Sequence, residues 1–254
     1  MPSAVAESWS SPVTPPLFLL EELPDTDSVP LTGDEGRHAA KVRRLHVGEP
    51  AVVGDGRGTV LDCRVTEVRA DGLLLAVCGR RTIPPPVPRL VVVQALIKGD
   101  RAELAIELMT ELGVDEIVPW AASRSIAQWQ GPRGLKALER WRRTAREATK
   151  QSRRGWVPAV TDLASTPQVL DRLRAGCGVV LHEAATDPLA RAALPAAGEI
   201  VLVVGPEGGI SDDELTGFAD AGADPVRLGS PVLRTSTAGA AALAVLSVRL
   251  GRWV

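Results

Sequence analysis

Downstream of residue 88, runs of apolar residues alternate with segments of helical period, and this alternation restricts the fold more than any other feature of the chain. RLVVVQALI is followed by DRAELAIELMTELGV, whose apolar residues recur at helical spacing and whose Gly113 marks a C-terminal cap. EIVPW comes next, then a helical stretch from about Leu135 to Gln151. GVVLHEA, EIVLVVGPEGG and DPVRLG read as further strands, and RTSTAGAAALAVLSVRLG as a closing helix rich in small residues. Strands that are apolar along their whole length are buried on both faces. The pattern therefore predicts an α/β domain, a parallel sheet with helices on either side.

Residues 84–88, PPPVP, stand ahead of that pattern. Prolines lack a backbone donor and favour extended structure, so the segment reads as a stiff linker. Before it, EPAVVGDGRGTVLDCRVTEVRADGLLLAVCGR alternates apolar and polar residues between GDG and ADG turns, the period of half-buried strands. The expected organisation is a flexible tail over 1–16, a small β-barrel over 17–83 and the α/β domain over 89–254. DEGRHAAKVRRLHVGEP, early in the barrel region, reads as a short helix carrying Arg37, His38, Lys41, Arg43 and Arg44.

Composition narrows the function. The 254 residues are 45% hydrophobic, enough for a substantial core. A net charge of -2 means that any nucleic-acid binding rests on local patches rather than on the whole surface. Six Trp, two Phe and no Tyr disfavour an RNA surface of stacked aromatics. Cys63, Cys78 and Cys177 form no C-x-x-C pair and no cluster with His38, His46 and His182. They read as small buried apolar residues, with no metal and no disulfide expected. The chain has no apolar run of membrane-spanning length, and MPSAVAESWSSPVTPP does not have the form of a signal peptide, so the cytoplasm is the expected compartment.

Two loops and one helix carry candidate chemistry. In VLVVGPEGGISDDEL a buried strand runs into Gly205, Pro206, Glu207, Gly208 and Gly209. Ser211 and Glu214 then form a capping box that starts a helix at about Asp212. The carboxyl ends of parallel strands are where such sheets bind ligands, and glycines there admit a close approach to the backbone. A tight turn without a ligand fits the same residues. The loop lacks the P-loop spacing, and Glu207, Asp212 and Asp213 would repel phosphate. An uncharged or cationic ligand suits it better.

In RLGSPVLRTSTAGAAALAVL, Arg234 stands just ahead of Thr235, the expected helix N-cap. A cation at a helix N-terminus costs stability, which points to a task on a ligand or partner, though a plain surface arginine fits too. In GPRGLKALERWRRTAREATKQSRRGW, Arg142, Arg146, Lys150 and Arg153 or Arg154 fall on one helical face. That face is either solvated or tracks RNA phosphates.

LVVGPEGGISDDEL, RLGSPVLRTSTAGAAAL and REATKQSRRGWVPAV together resemble the motifs of the ribosomal RNA small subunit methyltransferase E family. QALIKGDRAELAIELMTELGVDEIVPWAASRSI resembles that family's first conserved region. The resemblance implies a SPOUT-class α/β domain with a C-terminal trefoil knot, preceded by a PUA-like RNA-binding barrel. It also implies a homodimer with the site near the subunit boundary. The reaction implied is methyl transfer from S-adenosylmethionine to N3 of a uridine in 16S, small-subunit ribosomal RNA, either free or within the assembled 30S subunit.

Carried onto this sequence, the cofactor lining falls on Leu181, His182 and Glu183, on Leu202, Val204, Gly205, Pro206, Glu207, Gly208 and Gly209, and on Leu228, Gly229, Val232, Leu233, Arg234 and Thr235. Expected RNA contacts are Arg37, Lys41, Arg43, Arg44, Lys98, Arg124, Arg142, Arg146, Lys150, Arg153 and Arg154. Arg234 is expected to stabilise the developing uridine anion. Family members commonly carry Glu between the threonines of the RT-T motif, where this chain has Ser236. The proton acceptor is therefore expected to be Glu207 or solvent. Ribose 2′-O-methylation, a transfer RNA substrate and a non-catalytic ribosome-assembly factor are the competing readings.

Overall fold

The computed structural model describes residues 14–253. Its Gly-punctuated first part forms five strands: β1 (Leu17–Leu19), β2 (Ser28–Leu31), β3 (Pro50–Gly54), β4 (Thr59–Arg69) and β5 (Gly72–Thr82). They lie in the order β1-β3-β4-β5-β2, with β1 parallel to β3 and the other pairs antiparallel. The end strands β1 and β2 both feed one core, through Phe18 and through Val29 and Leu31, together with Val53, Leu61, Leu73 and Leu75. The sheet therefore curls round its core. No pairing joins β1 to β2 among the described residues, so it is not a hydrogen-bonded closed barrel. Register shifts at Asp62/Cys63 and Val65/Glu67 bend the long β4–β5 hairpin. At Gly72 a Cβ would lie 2.0 Å from the Leu31 carbonyl oxygen, so only glycine fits the hairpin's tip.

Three expectations change here. The basic helix is two short pieces, α1 (Gly33–Arg37) and a π turn over His38–Val42. Arg43 and Arg44 lie beyond both, with Arg44 at φ 53. Residues 1–13 of the expected tail fall outside the described residues, but Pro16 is tied down, its carbonyl accepting from the Val52 amide at 2.9 Å. Cys78 is exposed and Cys177 half-buried, whereas Cys63 is buried, and burial pushes its thiol up to about 11. All three are free thiols.

This first unit ends at Pro84 and also takes in Arg153–Gly155. The second holds Pro85–Ser152 and the residues from Trp156 onward. In the second, β6 (Arg89–Ala95), β7 (Glu116–Trp120), β8 (Ala159–Val160), β9 (Cys177–Leu181), β10 (Glu199–Val204) and β11 (Asp224–Val226) form one parallel sheet in the order β11-β9-β10-β6-β7-β8. The helices are α2 (Arg101–Glu111), α3 (Gly131–Ser152), α4 (Thr166–Ala175), α5 (Asp212–Asp220) and α6 (Thr235–Arg249). Alternate residues of each central strand serve opposite faces, as the pleat requires. Leu90, Val92, Leu202 and Val204 pack with Ile106 and Met109 of α2, Trp141 of α3, and Leu243 and Leu246 of α6. Val91, Val93, Val201 and Val203 pack with Leu173 of α4 and Phe218 of α5.

The chain lays β6, β7 and β8 outward in one direction, then crosses β6 to place β9, β10 and β11 on its other side. Neighbours β6 and β10 thus lead away in opposite directions, and a crevice opens at their carboxyl ends. The amino ends are clamped. Buried Glu116 accepts from Arg89 at 2.7 Å and also pairs with Arg172, and Glu199 pairs with both arginines. The sheet packs closely at Gly178 in β9, where a Cβ would lie 2.7 Å from the Ala223 Cβ and 2.8 Å from the Leu173 Cδ2. Gly178→Val is expected to cost about 1–3 kcal/mol by overpacking, read as a lowered thermal midpoint.

Candidate functional site

A cavity of about 740 Å³ opens at the carboxyl ends of β9, β10 and β11. Its wall gathers Leu181, His182 and Glu183 from the end of β9, Val204 to Ile210 from the end of β10, and Val226 to Thr235 after β11. Every residue expected to line a cofactor is on this wall except Leu202. Leu202 faces the same side of β10 as Val204 but lies two residues deeper, buried in the core with Leu90 and Val92. The wall also holds residues outside the expected cofactor lining: Asp212 and Ser236, which flank the two loops, and Arg101, Arg227, Ser230, Pro231 and Ala238. Arg101 is the first residue of α2, just past the end of β6, and that strand-end position was its only sequence signal.

The glycines of the first loop have distinct local reasons. A Cβ on Gly205 would meet the Ile210 Cγ1 at 2.6 Å. One on Gly208 would meet the Arg124 carbonyl oxygen at 3.0 Å and its Cβ at 3.1 Å, so the segment after β7 lies directly on this loop. Gly209 has φ 74 and donates its amide to the Pro206 carbonyl at 2.9 Å, closing a tight turn. Ser211 then caps α5, as expected from the S-x-x-E spacing.

Glu214 does more than complete that capping box. It is buried, and its Oε1 accepts from the Ser123 amide at 2.8 Å and the Thr166 hydroxyl at 3.3 Å. Its Oε2 accepts from the Ser123 hydroxyl at 3.0 Å, the Ser211 amide at 3.0 Å and the Ser211 hydroxyl at 2.9 Å. Burial pushes the carboxyl up, but the amides and hydroxyls of Ser123 and Ser211 outweigh it and hold Glu214 below its ordinary value. A carboxylate held low contributes stability that is complete above its unfolded value of 4.5 and is lost as pH falls through the lower folded value. The urea midpoint of the wild-type chain is therefore expected to fall more steeply between pH ~5 and ~3 than that of Glu214→Gln, with both followed in the same titration.

In the second loop the helix cap is Arg234 itself, with Thr235 the first helical residue, one position earlier than expected. The Arg234 carbonyl accepts from the Thr237 and Ala238 amides, each at 2.9 Å. Its side chain makes no cap hydrogen bond and is exposed on the cavity wall. Thr235 and Ser236 are buried behind it. The rim thus mixes arginines 101, 124, 227 and 234 with Glu183, Glu207 and Asp212, over an apolar wall of Leu181, Val204 and Leu228. Strand-end backbone groups and an apolar wall suit a ligand with a flat apolar part, and a rim of both signs suits one that carries both charges.

The basic face expected on α3 is partly spent within the protein. Arg142 binds Glu139 at 2.7 Å, Asp162 at 3.0 Å and the Val160 carbonyl at 3.2 Å. Lys150 is largely buried and binds Glu147 at 2.9 Å. Arg146 is half-buried and also has a partner. Arg153 and Arg154 do not extend that face, because α3 ends at Ser152, where the hydroxyl donates to the Ala148 carbonyl, and Arg153 turns to φ 57. Arg153 instead donates to the Thr14 carbonyl at 2.9 Å, within the first unit. The exposed cations of α3 are Arg133, Lys136, Arg140 and Arg143, with Arg140 paired to Glu103. Lys98 and Arg124 are exposed in the second unit, and Arg37, Lys41, Arg43 and Arg44 in the first. Arg37 pairs with Asp34.

Among the described residues no cluster could hold a metal ion, and no helix is long and apolar enough to cross a membrane. Residues 84–247 match the model of an RNA methyltransferase domain, and residues 31–78 that of an RNA methyltransferase PUA domain. The chain is 49% identical, over 93% of both chains, to a Mycobacterium bovis protein named ribosomal RNA small subunit methyltransferase E. It is 29% identical to a Bacillus subtilis protein of the same name, over 89% of this chain and 92% of that one. Among solved structures it resembles ribosomal RNA small subunit methyltransferase E from Neisseria gonorrhoeae bound to S-adenosyl methionine, with a TM-score of 0.83 and 29% identity over 92% of this chain and 98% of the other.

Proposed function

The chain belongs to the ribosomal RNA small subunit methyltransferase E family, and we propose that it transfers a methyl group from S-adenosylmethionine to N3 of a uridine in small-subunit ribosomal RNA. The observation that carries this reading is the cavity at the carboxyl ends of β9, β10 and β11, walled by the GPEGG loop and the loop before α6. Its volume of about 740 Å³ falls in the range of small-ligand sites. Its wall fits S-adenosylmethionine, with apolar Leu181, Val204 and Leu228 for the adenine, backbone groups of both loops for the ribose, and Glu183, Glu207 and Asp212 near the cation. The sulfonium supplies an already activated methyl group.

The protein's task is then to hold the uridine in line and to help N3 lose its proton. Arg234 stabilises the charge that develops on a uridine carbonyl oxygen. Where family members carry Glu between the two threonines, Ser236 is buried on this wall, so the carboxylate suited to take the proton is Glu207, exposed at the rim. The RNA is held by Arg124 on the cavity wall and Lys98 in the same domain, and by Arg37, Lys41, Arg43 and Arg44 on the PUA domain.

After β11 at the sheet's edge, the chain returns to pack α6 on α2, β6 and β10. We read this return as part of a C-terminal trefoil knot, a reading that the packing of α6 supports. The face of α6 bearing Ala241, Ala244 and exposed Val248 suits close packing with a second copy in a homodimer. The reaction belongs in the cytoplasm, with the ribosomal RNA.

The deciding experiment is nucleoside mass spectrometry of small-subunit ribosomal RNA from a strain lacking the gene. Loss of N3-methyluridine, restored by this chain, is expected, and an unchanged N3-methyluridine content would refute the reading. Paired Lys41→Glu and Arg43→Glu substitutions are expected to weaken RNA binding about tenfold and to lower the salt slope by about one per lost phosphate contact. Filter binding across a salt series measures both, and calorimetry with the cofactor should show no change.

A further inference from the structure

We propose that Glu214 is a positioning residue whose buried carboxylate clamps the Ser123–Arg124 segment onto the glycine loop, fixing where Arg124 meets the RNA. The inference rests on reading the cavity as the site of methyl transfer.

A capping box needs only the exchange between Ser211 and Glu214. Here the same carboxylate also takes both donors of Ser123, a residue 91 positions away in sequence and at the end of a different strand. It accepts from the Thr166 hydroxyl as well, which in turn accepts from the Trp120 indole at 3.2 Å. Five donors thus converge on two oxygens, drawn from the starts of α4 and α5 and the segment after β7.

Arg124 follows Ser123 directly. Its backbone lies against Gly208, and its guanidinium reaches the Ile210 carbonyl at 3.4 Å. The side chain is exposed and on the cavity wall. Without the clamp, the bonds that Ser123 makes to Glu214 are lost, and Arg124 loses its fixed origin. An amide at position 214 cannot replace the carboxylate, because its NH2 group would face a backbone N–H of either Ser123 or Ser211.

The test is a double-mutant cycle in the full chain, reading the KM for ribosomal RNA, kcat and cofactor affinity. Glu214→Gln and Arg124→Ala are each expected to raise the RNA KM about tenfold, and the double variant no further than Arg124→Ala alone. Cofactor Kd should stay within about threefold throughout. Ser123→Ala, which removes one of the two Ser123 donors, should raise the RNA KM in the same direction by less and serves if Glu214→Gln does not fold. Backbone hydrogen exchange in the cofactor-free protein should show the Ser123 amide protected in the wild type and unprotected in Glu214→Gln. Additive effects in the cycle, or unchanged Ser123 exchange, would overturn the proposal. A wild-type chain that neither binds cofactor nor methylates RNA would instead defeat the methyltransferase reading, with the exchange measurement still reporting on the clamp.

Discussion

Arg234→Ala is expected to slow single-turnover methyl transfer by about 10²–10³-fold while leaving the Kd for S-adenosylmethionine within about threefold. The cap of α6 is made by the Arg234 carbonyl, which alanine keeps. The guanidinium makes no hydrogen bond or ion pair to the described residues, so its removal orphans nothing. A cation beside the first amides of a helix is also unfavourable, and the variant's thermal midpoint should hold or rise. A large rate loss in a protein that is no less stable separates a role in the reaction from a role in the fold. Arg234→Lys keeps the charge but not the planar fork and should fall between the two. Full turnover in Arg234→Ala would remove this residue from the mechanism.

Gly208→Val is expected to weaken cofactor binding by at least about tenfold in calorimetry, with helix and strand content unchanged by circular dichroism. The Cβ would arrive 3.0 Å from a backbone oxygen, that of Arg124, which has no rotamer with which to yield. The 123–125 segment is held by the Ser123 bonds to Glu214, so the glycine loop is the part that yields, and it moves into the cavity. Gly209→Ala is a useful contrast. Its Cβ meets nothing within 4 Å, so its cost comes from the φ of 74 and not from contact. If Gly208→Val binds as tightly as the wild type, the glycine loop is not part of the cofactor wall.

Much of this site could be read from the sequence because its residues follow strand ends. Glycines 205, 208 and 209, the start of α5 and the loop before α6 all lie within a few residues of an apolar run, and strand polarity places such residues on one rim. Arg101 and Ser123 were harder to see, because they reach the site through α2 and through Glu214, across long sequence separations that no local pattern encodes. The helix Thr166–Ala175 is signalled in the sequence only by its start, where Ser165 and Gln168 form a capping box with Pro167 in the first turn. How much of the basic face of α3 is already paired was not legible, for a different reason. Helical spacing aligns Arg142 with Lys150, but it does not show that Asp162 and Glu147 already neutralise them. The fold of the first unit was legible as strands and turns, whereas the break between α1 and the π turn was not.

The strand order also bears on how the chain reaches its native state. β6 lies between β7 and β10, and its partner across the Arg89–Glu199 pair comes 110 residues later. A growing chain can dock β7 early, but the other edge of β6, with Val91 and Val93 on it, stays unpaired until β10 has been made. Pairings of such long range are slow to form and leave apolar edges open to association in the interval. The strand ends that wall the cavity all come later than β8, so a chain arrested before Glu199 would lack both loops of the site and hold β9 without its β10 partner. Refolding of this protein should therefore be limited by the arrival of β10, with yield falling as chain concentration rises.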